Sequence, residues 1–229
     1  MYPKLLAAGV LLLAAASPAT AASAIGDVAA AGCAGCHGTT GQGNAEMGFP
    51  ALAQLPAPYF SKQLADFRAG TRTNAQALVH HDFNTATDYN YYVRFMRAAA
   101  GGVSVSDGEA LGRYYAAQAR TKVPAPNVSP EVLARGKNIA INGAWDRQVP
   151  PCFKCHATNG MGVPPSFPPI AGQHPAYTAR QLMAWKNGDR TNDPQKLMAF
   201  TAKQLSDEEI QAVAAYLATL ELSPRKAAK

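Results

Sequence analysis

The chain has 229 residues, 48% of them apolar and 16% charged, with 21 basic side chains against 15 acidic ones. This composition can build a packed core and excludes wholesale disorder, and no apolar run reaches the roughly 20 residues that a membrane-spanning helix needs. The net charge of +6 suits an acidic partner without identifying one.

Lys4 precedes an apolar run from Leu5 to Ala16, closed by Ser17-Pro18 and followed by Ala19-Thr20-Ala21 and Ala22-Ser23-Ala24. A positive start, a short apolar middle and an A-x-A site are the layout of a secretory signal peptide. Cleavage is expected after Ala21, with Ala24 the second choice, so residues 1–21 form the leader and the mature chain lies outside the cytoplasm.

Cys33-Ala34-Gly35-Cys36-His37 follows, and the pattern recurs 119 residues later as Cys152-Phe153-Lys154-Cys155-His156. A gapless similarity between 49–72 and 167–190 accompanies it. It pairs Phe49 with Phe167, Pro50 with Pro168, Ala53 with Ala171, Tyr59 with Tyr177, Gln63 with Gln181, Leu64 with Leu182, Gly70 with Gly188 and Arg72 with Arg190. The chain therefore reads as a tandem duplication. Tyr59 to Phe67 and Tyr177 to Trp185 carry helical spacing, stopped by Gly70 and Gly188. Residues 103–117 form the last helix of the first unit. Thr121 to Ser129 is a Pro-rich linker, and Ser129-Pro130 opens the next helix with cap and proline in their preferred places. Ser206 with Glu209 makes a capping box, followed by the apolar face Ile210, Val213, Ala214 and Leu217. No strand pattern competes, so the fold class is all-α. The expected units are 22–120, with an insertion at about 73–92, and 130–222, joined by linker 121–129 and followed by a tail, 223–229.

C-x-x-C-H is the attachment signature of c-type haem: two thiols add across the vinyl groups and the adjacent histidine ligates iron. Cys33, Cys36, Cys152 and Cys155 are thus expected to tether two haems, with His37 and His156 as proximal ligands. A zinc site would gather four ligands closely, and a redox dithiol would favour a thioredoxin-like α/β setting. Neither pattern is present.

A sixth ligand completes a haem used purely for electron transfer, and methionine sulfur suits that role. In the second unit the expected ligand is Met198, with Met183 and Met161 as rivals. In the first unit Met96 lies 18 residues before Tyr114, as Met198 lies 18 before Tyr216. Met96 is the expected equivalent, with His80, His81 and Met47 as rivals. Pro50 and Pro168 are candidate carbonyl acceptors for the histidine rings. Arg72 and Arg190 are candidates for pairing with haem propionates, with solvated surface arginines as the alternative. Tyr59, Tyr177, Phe67 and Trp185 read as packing, and His174 as a residue at the start of a helix.

These motifs together resemble the dihaem cytochrome c4 family. They are CAGCHG at 33–38, FPALA at 49–53, QLADFRAGTR at 63–72, VPPCFKCH at 149–156, FPPIAGQHPAY at 167–177 and RTNDPQKLM at 190–198. The resemblance implies two tandem class I cytochrome c domains, each wrapped around one covalently bound haem c, with His37/Met96 and His156/Met198 as axial pairs. It implies a periplasmic carrier of single electrons, soluble or peripherally attached to a membrane. The donor would be a quinol-oxidising complex or a dehydrogenase, and the acceptor a terminal oxidase or reductase. The alternatives are an electron-accepting subunit of a dehydrogenase complex and a dihaem enzyme that oxidises sulfur compounds. No catalytic residue is expected, and haem propionates offset enough charge that the basic excess is no argument for nucleic acid.

Overall fold

The computed structural model describes residues 32–73, 89–193 and 195–222. The expected leader and tail, His80 and His81 lie outside the described residues. Nine α-helices are described: α1 Ala34–His37, α2 Ala57–Ala69, α3 Tyr89–Gly101, α4 Val105–Ala117, α5 Pro130–Asn142, α6 Cys152–Cys155, α7 Pro175–Asn187, α8 Leu197–Lys203 and α9 Asp207–Ala218. Two short 3-10 turns, Trp145–Arg147 and Thr158–Gly160, and isolated bridges stand beside them among the described residues.

The helix boundaries follow from local chemistry. α2 and α7 both end on a glycine in the left-handed region, Gly70 at φ +72° and Gly188 at +80°, a conformation that costs a residue without Cβ nothing. α9 carries the full capping box of Ser206 and Glu209. α4 starts two residues later than expected, because Ser104 accepts from the Asp107 backbone N–H and so caps it. α5 begins at Pro130, although the Ser129 side chain makes no capping bond.

Two cores result. In the second domain Ile139, Val149, Leu182, Trp185, Leu205, Ile210, Val213 and Leu217 are buried together. In the first, Phe60, Leu64, Phe67, Tyr89, Val93, Leu111 and Tyr115 are. Each large apolar side chain so buried contributes roughly 1.5–3 kcal/mol. α5 and α9 cross at Gly136, where an added Cβ would lie 2.0 Å from the Ala212 carbonyl oxygen. Only glycine permits that approach. Ala184 of α7 sits in the core of the first domain, so the two domains share packed surface.

The insertion ends are built into the first domain. Tyr89 and Asn90 are buried in the first turn of α3, and Tyr89 donates from its hydroxyl to the Arg72 carbonyl at 2.7 Å. The expected segment 73–92 therefore finishes inside the helix that carries Met96, and its residues 74–88 lie outside the described set.

Candidate haem sites

α1 and α6 are single helical turns that set each cysteine pair beside its histidine. After each, the chain folds back in a loop with the same bonds in both domains. Gly43 N–H donates to the His37 carbonyl at 2.8 Å, as Gly162 does to His156 at 2.7 Å. Leu52 and Ala53 N–H donate to Gly41 O, as Ile170 and Ala171 do to Gly160 O. A bridge closes each loop, Asn44 with Phe49 in one and Val163 with Phe167 in the other. The second bridged loop is one residue shorter, which is why the repeat offset falls from 119 at Cys33/Cys152 to 118 at Phe49/Phe167.

The returning segment of each loop delivers a proline carbonyl to the histidine. His37 Nδ1 lies 2.9 Å from Pro50 O, and His156 Nδ1 lies 2.8 Å from Pro168 O. A carbonyl can only accept, so each Nδ1 carries the proton and each Nε2 keeps its lone pair. Burial pushes both imidazoles below the ordinary histidine range, against the opposing pull of the proline carbonyls. His37 Nε2 is buried with no hydrogen-bond partner among the described residues. A neutral imidazole with its proton fixed on the far nitrogen is the form that ligates iron. The residues present thus fit a haem.

The cysteines fit the same use. Burial pushes the Cys152 thiol up to about 11 and raises Cys33. A redox dithiol needs the opposite shift, toward thiolate. All four cysteines are unbridged. No group of three or more His, Cys, Asp or Glu side chains suited to a metal ion occurs among the described residues.

The expected methionines lie over matching cores. Met96, Cys33, Leu52 and Tyr114 pack against the first core; Met198, Cys152, Ile170 and Tyr216 pack against the second. The backbone repeats this register. Gln54 N–H donates to Tyr115 O at 2.8 Å, and Gly172 N–H to Leu217 O at 2.9 Å. Among the rivals, Met183 also packs against the second core, while Met47 is 55% exposed. Asp193, which sequence reasoning missed, fixes Met198: its carboxylate accepts from the backbone N–H of Met198 at 2.6 Å and of Ala199 at 3.2 Å. An acidic residue just ahead of a short apolar helix was the available signal.

Arg72 and Arg190 are not solvated; both are buried at the contact between the domains. Arg72 donates to Gln63 Oε1 at 2.9 Å and across the contact to Gln181 Oε1 at 3.1 Å and Tyr177 OH at 3.0 Å. Arg190 mirrors it, donating to Gln181 Oε1 at 2.8 Å and across to Gln63 Oε1 at 3.2 Å. Each guanidinium lies over the paired aromatic of its own domain, Phe67 at 4.3 Å and Trp185 at 4.4 Å. These hydrogen-bond acceptors are neutral. His174 is also more than the start of α7: it reaches across to the first domain and donates from Nε2 to Gln42 O at 3.0 Å.

Comparison with known proteins agrees with this geometry. The cytochrome c family model matches residues 23–111 and again 133–221. The chain is 38% identical to a thiosulfate dehydrogenase electron acceptor of Stutzerimonas stutzeri (strain A1501), covering 80% of this chain and 76% of the relative. It is 33% identical to a cytochrome c4 of Stutzerimonas stutzeri, covering 79% of this chain and 80% of the relative. It is similar to the crystal structure of reduced recombinant cytochrome c4 from Pseudomonas stutzeri, with a TM-score of 0.70, 31% identity, and coverage of 87% and 98% of the two chains. The fold and the duplicated motif define a c-type cytochrome with two covalently bound haems c. Within that class the chain belongs to the dihaem cytochrome c4 family, and its function is one-electron transfer.

Proposed function

We propose that the chain carries single electrons between redox proteins through two six-coordinate haems, with His37 and Met96 on one iron and His156 and Met198 on the other. The paired histidine–proline bonds carry this reading, because they fix the proton of both imidazoles on Nδ1 and leave both Nε2 lone pairs for iron. A haem supplies the one-electron couple, and the protein supplies burial, tethering and ligand orientation. The cysteines hold each ring by thioether bonds, and the prolines keep the histidine proton away from the metal side. Arg72 and Arg190 anchor propionates at the domain contact, since buried guanidiniums with neutral partners favour an anion nearby. No side chain is assigned an enzymatic role.

Residues 1–21 are the export leader, and 22–120 and 130–222 are the two domains, joined by 121–129. The working compartment is the periplasm. No helix among the described residues is long and apolar enough to cross a membrane.

A specific observation bears on the donor. The relative at 38% identity, and another from Thiomonas intermedia at 36%, are named as thiosulfate dehydrogenase electron acceptors. A periplasmic dehydrogenase acting on a sulfur compound is therefore favoured as donor over a quinol-oxidising complex, with an oxidase or reductase as acceptor. Stopped-flow mixing of the oxidised protein with each candidate donor and its substrate tests this. Two electrons per chain taken rapidly from the dehydrogenase, and none from thiosulfate alone, are the expected result.

A further inference from the structure

We propose that Gln173, a residue of the second domain, is a positioning residue for the first haem centre alone, acting through the peptide group that joins Pro50 to Ala51. The proposal rests on the reading of His37 as an iron ligand.

The Pro50 carbonyl and the Ala51 N–H are the two ends of one amide. The carbonyl accepts from His37 Nδ1 at 2.9 Å, and the N–H donates to Gln173 Oε1 at 2.9 Å. A hydrogen bond at the N–H end of a peptide polarises it and makes its carbonyl a stronger acceptor. The Gln173 carboxamide is held in one orientation. Its oxygen also accepts from His174 N–H at 2.9 Å, and its nitrogen donates to Ala51 O at 3.0 Å. A flipped amide would set N–H groups against N–H groups. Gln173, Ala51 and His37 are all buried, so water does not dilute the effect. The neighbouring backbone leaves little slack: a Cβ on Gly43 would lie 2.6 Å from His174 Nε2 and 2.7 Å from the Ala51 nitrogen.

The second centre cannot build this relay from its own sequence. Ala51 is matched by Pro169, which has no N–H, and Gln173 is matched by Leu55, which has no polar side-chain atom. Both parts of the device are missing there, while the histidine–proline bond itself is kept.

A stronger acceptor draws the His37 ring proton outward and makes the imidazole a better electron donor, which favours ferric iron. The relay thus lowers the potential of the first centre relative to a bare proline carbonyl. It places control of one centre in the other domain, so the first centre responds to how the domains are joined.

The test uses the full-length holoprotein with Gln173→Leu, Ala51→Pro and the double substitution, each residue being the one the other repeat carries at that position. Redox titration should show the first midpoint potential rising in all three and the second unmoved. The double should shift no further than either single, because both remove the same bond. In Gln173→Leu the Ala51 amide proton should also exchange faster. Haem content of two per chain and retained methionine–iron absorbance identify a folded variant. An unmoved first potential, equal shifts at both centres, or additive shifts in the double would overturn the relay. His37→Gly separates the two readings: if the first centre keeps its spectrum there, the ligand assignment fails, whereas an intact assignment with no effect of Gln173 removes only the relay.

Discussion

The two domains share the bonds that run directly around each cysteine-motif histidine and part company on the methionine side. Each histidine donates a hydrogen bond from Nδ1 to a proline carbonyl, each loop is closed by a bridge, and each glycine N–H returns to the histidine carbonyl. On the other side, Met198 lies in the first turn of a seven-residue helix held by Asp193. Met96 lies in the middle of a 13-residue helix whose first turn takes in the end of the expected insertion. The histidine loop is a compact local structure, determined by a few residues around the cysteine motif, and duplication kept its internal bonds. The methionine arrives from a longer segment, where length and capping are free to change as long as its side chain still reaches the same core.

The sharpest way to break the comparison is to delete one tether. Cys152→Ala with Cys155→Ala should leave one haem per chain in a haemochrome assay and destabilise the second domain, a small unit that loses the apolar surface of its ring. The first haem should remain.

Next in size are the two methionines proposed as axial ligands. Met198→Ala and Met96→Ala should each remove half of the far-red methionine–iron absorbance and lower one of the two potentials. If Met96→Ala leaves that absorbance whole, the equivalence of the distal sides fails.

The domain contact should be less sensitive and unequal. Gln63 Oε1 accepts from Arg72, Arg190 and Asn192, whereas Gln181 Oε1 accepts from the two arginines. Gln63→Leu strips acceptors from buried cations and should cost about 1–3 kcal/mol in denaturant unfolding, with Gln181→Leu costing less.

The smallest effect should come from Asp193→Ala. Loss of this cap should cost about 1 kcal/mol and weaken the absorbance assigned to Met198 while leaving that of Met96 intact. An equal effect on both would show that the two methionine helices are not held independently.

Much of this was legible in the sequence because it is local. The cysteine motif, the glycines that end α2 and α7 and the capping box of Ser206 each depend on residues within a turn or two. The histidine–proline pairing was legible because duplication repeats it at matching positions. The contacts between domains were not. Arg72 and Arg190 carry no mark that distinguishes a surface cation from one buried against partners of the other domain 105 or more residues away in sequence. His174 looked like a helix start because its bond to Gln42 spans 132 residues. Gly136 gave no signal either, since the need for glycine lies in the carbonyl of Ala212 across the helix crossing. Such features become visible only when two units are laid against each other.

The central claim is that both irons are six-coordinate carriers with histidine and methionine ligands. The most direct measurement is a stepwise redox titration of the purified chain, followed in the far red and by low-temperature electron paramagnetic resonance. Two low-spin haems, two equivalents of methionine–iron absorbance and two one-electron steps are the predicted result. One high-spin centre that binds thiosulfate or sulfite directly would contradict it.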